Sequence, residues 1–177
     1  PQDMLRRQYR RGTAGGLRPG NRRRAAATIN RSVDIITLRD DLSRGELTRM
    51  GIQGPDVRLS ADPTIILKPA SAALVDEALE QCGIPPEGNY IGFGLRYWKG
   101  FDDVIDEVVA AAEYAYTAHG LTPLFVPIEY PSDLMPAEIL GGKLKCPHYM
   151  VTKRQSIETT IGILARMKAV IGIRLHS

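Results

Sequence analysis

Apolar residues in this chain fall into short continuous runs, separated by stretches whose apolar positions repeat at helical spacing. Val33-Asp34-Ile35-Ile36-Thr37-Leu38 reads as a buried strand. Ser43 followed by Glu46 forms a capping-box pair, which predicts a short helix that Gly51 ends. Thr64-Ile65-Ile66-Leu67, behind the turn-prone Asp62-Pro63, reads as a second strand, and Lys68-Pro69 marks a boundary. Ser71 opens a helix with Leu74, Val75, Ala78, Leu79 and Cys82 on one face, stopped by Gly83. Beyond Pro85-Pro86 comes the strand 90–95, and then the strongest helical pattern, Phe101 to His119, closed by Gly120. Strands follow at 124–128 and 149–151, with a short helix near Leu134 to Leu140 between them. Ser156 caps a helix carrying Ile157, Ile161, Leu164 and Ala165, and Ala169 to Ile173 forms a final apolar strand.

From residue 89 onward strands and helices alternate, the pattern of a parallel sheet with helices on both faces. The strand 169–173, fully apolar, is expected near the sheet's centre. The organisation expected is a basic, mobile segment at 1–30, the end of an N-terminal α/β domain at 31–68, a linker helix and loop at 69–88, and a Rossmann-like domain at 89–177. A start at Pro1 and a stop just after an apolar strand suggest a piece truncated at both ends.

Composition alters this picture in one place. The apolar share of 44% and charged share of 24% are ordinary for a globular protein. No apolar run reaches the roughly 18 residues that a membrane span needs. Cys82 and Cys146 are too few and too far apart for a disulfide framework and read as reduced thiols, so a cytoplasmic location is expected. The net charge of +3, however, is unevenly spread. Residues 1–31 hold nine arginines and one acid, Asp3, a balance of +8 that leaves −5 for the rest. A block of one sign reads as a solvated tail or as a basic arm for nucleic acid or anionic lipid; the lack of interleaved aromatics beyond Tyr9 disfavours nucleic acid.

In open parallel sheets ligands gather beyond the carboxyl ends of the strands. Three polar clusters fall there: Arg39-Asp40-Asp41, Arg96-Tyr97-Trp98-Lys99-Gly100 and Arg174-Leu175-His176-Ser177. Each puts a cation ahead of an expected helix start, which suits a phosphate or carboxylate ligand. Arg39 could equally pair with Asp40 or Asp41 at the strand end. Trp98 and Lys99 read as a packed and a solvated loop residue, and His119 as a helix-end residue that complements the dipole. Cys146-Pro147-His148 offers two metal-ligand types without a second pair, so no metal is expected. No phosphate-binding loop, dinucleotide fingerprint or nucleophile elbow follows a strand.

Five segments together resemble the polysaccharide pyruvyl transferase family. These are Val33 to Ser43 with its Arg-Asp-x-x-Ser; Ala61-Asp62-Pro63; Ile91 to Phe101; Pro127 to Asp133; and Val170 to Ser177 with its Arg-Leu-His. The resemblance covers roughly residues 31–177, leaves residues 1–30 unmatched and is nearest to the cell-wall-anchoring type. It implies a glycosyltransferase-B-like fold with Rossmann-type parallel sheets. It further implies transfer of a pyruvyl group from phosphoenolpyruvate, with no other cofactor, onto a cell-surface sugar as a ketal. The acceptor implied is a lipid-linked saccharide at the inner face of the membrane. On this resemblance His176 is the acid/base or donor-phosphate residue, and Arg39, Arg174 and Arg96 hold the donor's anionic groups, with Arg174 ranked below His176 and Arg39. A nucleotide-sugar glycosyltransferase of the same fold is the alternative.

Overall fold

The computed structural model describes residues 19–174. They divide into two compact units on either side of the Leu67–Lys68 bond.

The first unit begins with helix α1 (Pro19–Ser32), continues through strand β1 (Ile35–Leu38), helix α2 (Leu42–Met50) and strand β2 (Asp56–Leu59), and closes on a 3-10 turn, Pro63–Ile66. The two strands run parallel, with Ile36 opposite Val57 and Leu38 opposite Leu59. A small core contains the buried Ala26 and Ile52. Asn30 on α1 holds the turn after α2, donating to the Gly51 carbonyl and accepting from the N–H groups of Gln53 and Gly54. Gly51 ends α2 in the left-handed conformation at φ 77°.

Three expectations change in this unit. Of the segment 1–30, residues 19–30 are helical, with small Ala25 and Ala26 and the half-buried Ile29 and Val33 as an inward stripe, and the rest lies outside the described residues. Helix α2 starts at Leu42 without the Ser43–Glu46 box: the Asp40 carboxylate accepts from the Ser43 N–H at 2.8 Å, and Glu46 pairs with Arg49. The apolar run 64–67 is not a strand. Pro63 and the Asp62 carboxylate, which accepts from the Thr64 N–H, wind it into the 3-10 turn and leave Ile65 and Ile66 exposed.

The second unit holds helix α3 (Ala72–Glu80), strand β3 (Tyr90–Gly94), helix α4 (Ile105–His119) entered through a 3-10 turn, and strand β4 (Thr122–Phe125). Helix α5 (Leu134–Gly141), strand β5 (Tyr149–Met150), helix α6 (Ile157–Ala165) and strand β6 (Ala169–Gly172) complete it. The four strands are all parallel in the order β5-β4-β3-β6. Alternation along the strands sends side chains to two cores. Ile91, Phe93, Leu95 and Phe125 meet Phe101, Ile105, Ala112 and Ala115 of the α4 region and Ala137 and Leu140 of α5. Tyr90, Leu124 and Val126 meet Val75 and Leu79 of α3 and Ile163 of α6 on the other side. The result is a three-layer, Rossmann-like arrangement of helices on both faces of a parallel sheet.

Two features differ from the sequence expectation. The segment 69–88 supplies Val75, Leu79 and Ile84 to the second core, so its helix is a packed layer of this unit. Strand β6 stands at one edge of the described sheet, not near its centre, with Val170 substantially exposed; the interior strands are β3 and β4.

Helices α3 and α6 cross at Gly162, where an added Cβ would overlap the Cγ2 methyl of buried Val75. Val75 is β-branched and cannot rotate away freely. Gly162→Ala is therefore expected to cost about 1–3 kcal/mol through overpacking, measured by urea unfolding. Val75→Ala in the same chain should return part of that loss. Equal midpoints for wild type and Gly162→Ala would mean that the helices do not approach this closely.

Candidate functional site

Because all strands of the second unit are parallel, the loops at 95–101, 126–133 and 151–156, and the residues after β6, emerge at one end of the sheet. The middle of this end is organised by one carboxylate. Asp133, whose side chain is fully buried, precedes α5 and accepts from the N–H groups of Ile128 and Glu129 at 3.1 and 2.8 Å. Arg174 reaches it with two parallel hydrogen bonds, Nε to Oδ2 at 2.8 Å and Nη2 to Oδ1 at 2.6 Å. The same Nη2 donates to Glu129 Oε2 at 2.7 Å. Strands β6 and β4 flank β3, so their axes lie about 10 Å apart, and the guanidinium ties their following segments together across the end of β3. Hydrogen bonding to Asp133, with a smaller contribution from Glu129, outweighs burial and holds the Arg174 pKa above its ordinary value. A raised pKa gives stability that is lost only as pH climbs past the guanidinium range, so the arginine keeps its charge near neutrality.

Around that anchor stand cations of another kind. Arg96 and Lys99, in the loop after β3, and Lys153 and Arg154, in the loop after β5, are exposed and form no ion pair among the described residues. Tyr97 donates its hydroxyl to Asp102 at 2.6 Å, and Trp98 packs edge-on against Phe101, so the β3 loop is pinned at both sides of Lys99.

The first unit has its own cluster beyond β1 and β2. Arg39 Nη1 donates to Asp62 Oδ2 at 2.9 Å, and its Nε lies 3.8 Å from Asp40. Asp62 also accepts from the Thr64 N–H and hydroxyl. The Ser43 N–H and then its hydroxyl hold Asp40 below the ordinary 3.8, with burial opposing them and Arg39 assisting.

These two clusters are built from the same sequence segments that the polysaccharide pyruvyl transferase model matches, a match that extends over residues 13–177. The chain belongs to the polysaccharide pyruvyl transferase family. It is accordingly a transferase, and the match begins well before residue 31, so the segment expected to lie outside the family is largely inside it. Neither the curated proteins nor the solved structures contain a match to the chain. Among the described residues no helix is long and apolar enough to cross a membrane.

Within this pyruvyl transferase chain, the residues singled out in the sequence are distributed as follows. Arg39 meets Asp62 and Asp40 in the first unit, while Arg96 and Arg174 lie at the carboxyl end of the second unit's sheet. His176 lies outside the described residues. Cys146 and His148 belong to no group of three or more His, Cys, Asp or Glu among the described residues; the imidazole packs edge-on to Phe125, and Nδ1 lies 3.1 Å from the Cys146 carbonyl oxygen. Asp133 closes the segment Pro127 to Asp133 that carries part of the resemblance, but the sequence assigned it no role. Its one local sign is an acid just before a helix, which looks like an ordinary cap.

Two outcomes are expected. Arg174→Met leaves the buried Asp133 carboxylate without its guanidinium and should lower stability by about 3–5 kcal/mol in urea unfolding. Arg174→Lys should recover only part, since an ammonium cannot reproduce the fork. A wild-type midpoint for Arg174→Met would show the pair to be energetically idle. For Asp40 the folded pKa is depressed, so its contribution is present above the ordinary 3.8 and disappears as pH falls through the folded value. Asp40→Asn should thus lose less stability than wild type between about pH 5 and about pH 3. Parallel losses in the two proteins would contradict this.

Proposed function

We propose that the protein transfers a pyruvyl group from phosphoenolpyruvate to two hydroxyls of a cell-surface polysaccharide sugar, forming a ketal and releasing phosphate. In this reading its two α/β units are those of the glycosyltransferase-B-like fold, and the acceptor is a lipid-linked saccharide. The observation that carries the proposal is the family match over residues 13–177, and within each unit an arginine follows the end of a parallel strand.

The chemistry sets requirements that the chain's residues can meet. A proton must reach the methylene carbon of the enol, leaving an oxocarbenium-like centre at the adjacent carbon. One sugar hydroxyl adds there and gives up its proton; the bond to the phosphate oxygen then breaks, and the second hydroxyl closes the ketal. An imidazole can both give and take a proton, and His176 is proposed to donate and accept these protons. The donor's phosphate and carboxylate need fixed cations. Arg96 is proposed for this role because no carboxylate among the described residues neutralises it. Arg39 is proposed to contribute through Nη2, which lies beyond its bond to Asp62. Arg174, expected from the resemblance to hold an anion but ranked below His176 and Arg39, has partners of its own. It donates to two carboxylates, so the role proposed for it is to fix the segment that leads into His176.

The test is phosphate release and ketal formation by the intact protein supplied with phosphoenolpyruvate and a saccharide acceptor. His176→Ala is expected to lose on the order of a hundredfold to ten-thousandfold in rate while melting normally. Arg96→Ala should raise the concentration of phosphoenolpyruvate needed for half-maximal rate without changing the melt. Near-full turnover by a well-folded His176→Ala would remove the acid/base assignment. Turnover of a sugar nucleotide, with phosphoenolpyruvate untouched, would overturn the donor.

A further inference from the structure

Helix α1 presents a face that the transferase chemistry does not use. Its sequence, Pro19 to Ser32, contains four arginines, no acid and no aromatic residue. Arg22, Arg23, Arg24 and Arg31 are all exposed, and none has a carboxylate partner among the described residues. At 100° per residue, Arg24 and Arg31 point away from the stripe of Ala26, Ile29 and Val33 that faces the first unit, Arg23 stands on the flank between, and Arg22, four residues before Ala26, lies on the stripe's own side, exposed in the first turn of the helix. The helix's other polar side chain of note, Asn30, is committed to Gly51, Gln53 and Gly54. Among the described residues, what lies opposite the stripe is a single-sign strip of long cationic side chains, Arg24 and Arg31, beside small Ala27 and Thr28.

We infer that this face docks the protein on an anionic lipid bilayer. The argument is charge complementarity. A bilayer offers delocalised negative charge to such a strip and asks for neither a groove nor a fixed register. Arginine stems can also lie along the headgroup region while their guanidinium groups bind phosphates. A nucleic acid is the less favoured partner, because the helix has no aromatic ring to stack on bases and its remaining amide is occupied. The inference is independent of the donor and acceptor proposed above, since it concerns only where the protein sits.

The experiment is co-sedimentation of the intact protein with vesicles of phosphatidylcholine alone and of phosphatidylcholine with about 30% phosphatidylglycerol, at low and high salt. Each arginine close to an anionic surface strengthens binding about fivefold. Arg22→Gln, Arg23→Gln, Arg24→Gln and Arg31→Gln together should therefore weaken binding to anionic vesicles by at least about tenfold, allowing for charge elsewhere in the chain. Wild type should not bind neutral vesicles, and high salt should release it. The pair Arg24→Gln with Arg31→Gln, both remote from the packed stripe, serves if the fourfold variant melts early; it should show a smaller loss in the same direction. Unchanged binding by a folded variant would overturn the inference, and so would equal binding to neutral vesicles. Tighter binding to duplex nucleic acid than to anionic vesicles at the same salt, lost in the same variants, would reassign the face to nucleic acid. Phosphate release from phosphoenolpyruvate with a soluble acceptor should be the same in all these proteins, which separates failure here from failure of the proposed reaction.

Discussion

A buried carboxylate cannot be left alone, and Asp133 shows what that demands of the surrounding chain. Its two oxygens are filled by two backbone N–H groups from its own loop and by two guanidinium nitrogens from the segment after β6. The loop that follows β4 is thereby given one shape, and the chain leaving β6 is given one direction. Neither loop could relax independently without stranding a charge. The hydrophobic layers position the strands, but this polar knot decides how the ends of those strands are presented to a ligand. Glu129, more exposed and bonded to the same guanidinium, adds a second tether at the solvent side, where an ion pair contributes little to stability and can be exchanged.

The first unit repeats the device in a weaker form. Arg39 after β1 is joined to Asp62 after β2, the neighbouring parallel strand, and Asp40 turns its oxygens to the start of α2. Here the charges are half exposed, so screening limits what they add to stability. Their effect is geometric: the arginine is held at a strand end in a defined orientation, with part of its fork still available. In the first unit the paired segments follow neighbouring strands, and in the second they follow β4 and β6, across the end of the strand between them.

How much of this was legible beforehand depended on whether the signal was local. The strands β1, β3, β4, β5 and β6 were visible as apolar runs, and α4 and α6 as stripes with recognisable ends, Gly120 at φ 64° and Ser156 accepting from the Thr159 N–H. Strand β2 was missed because Asp56-Val57-Arg58-Leu59 lies at the surface and half of it is charged. The run 64–67 misled for the opposite reason: it is apolar yet exposed, and the Asp62-Pro63 start fixed its conformation before burial could. Helix α1 reads as a tail in the sequence because its inward stripe of Ala25, Ala26, Ile29 and Val33 is short and half alanine, too faint to stand out among the arginines. The position of β6 in the sheet could not be read at all, since strand order is a property of crossovers and not of any one strand's composition.

The site was legible in the same uneven way. Placing cations at strand ends required only the strands and the rule that parallel sheets gather ligands there. Sorting those cations required their partners. Arg174 and Arg96 look alike in the sequence, each following an apolar strand, yet one is bonded to carboxylates on a neighbouring loop and the other meets none among the described residues. The separation between Arg174 and Asp133 is 41 residues, and nothing in the local composition of either segment announces the other. Such a pairing also changes what each arginine can do. A guanidinium already facing two acids attracts a further anion poorly and serves best as a fixed post, whereas an unpaired one at the same sheet end keeps its full charge for a ligand. The difference between an arginine committed to carboxylates and one with none among the described residues therefore lies in the tertiary structure, and it is the structure's main addition to what the motifs suggest.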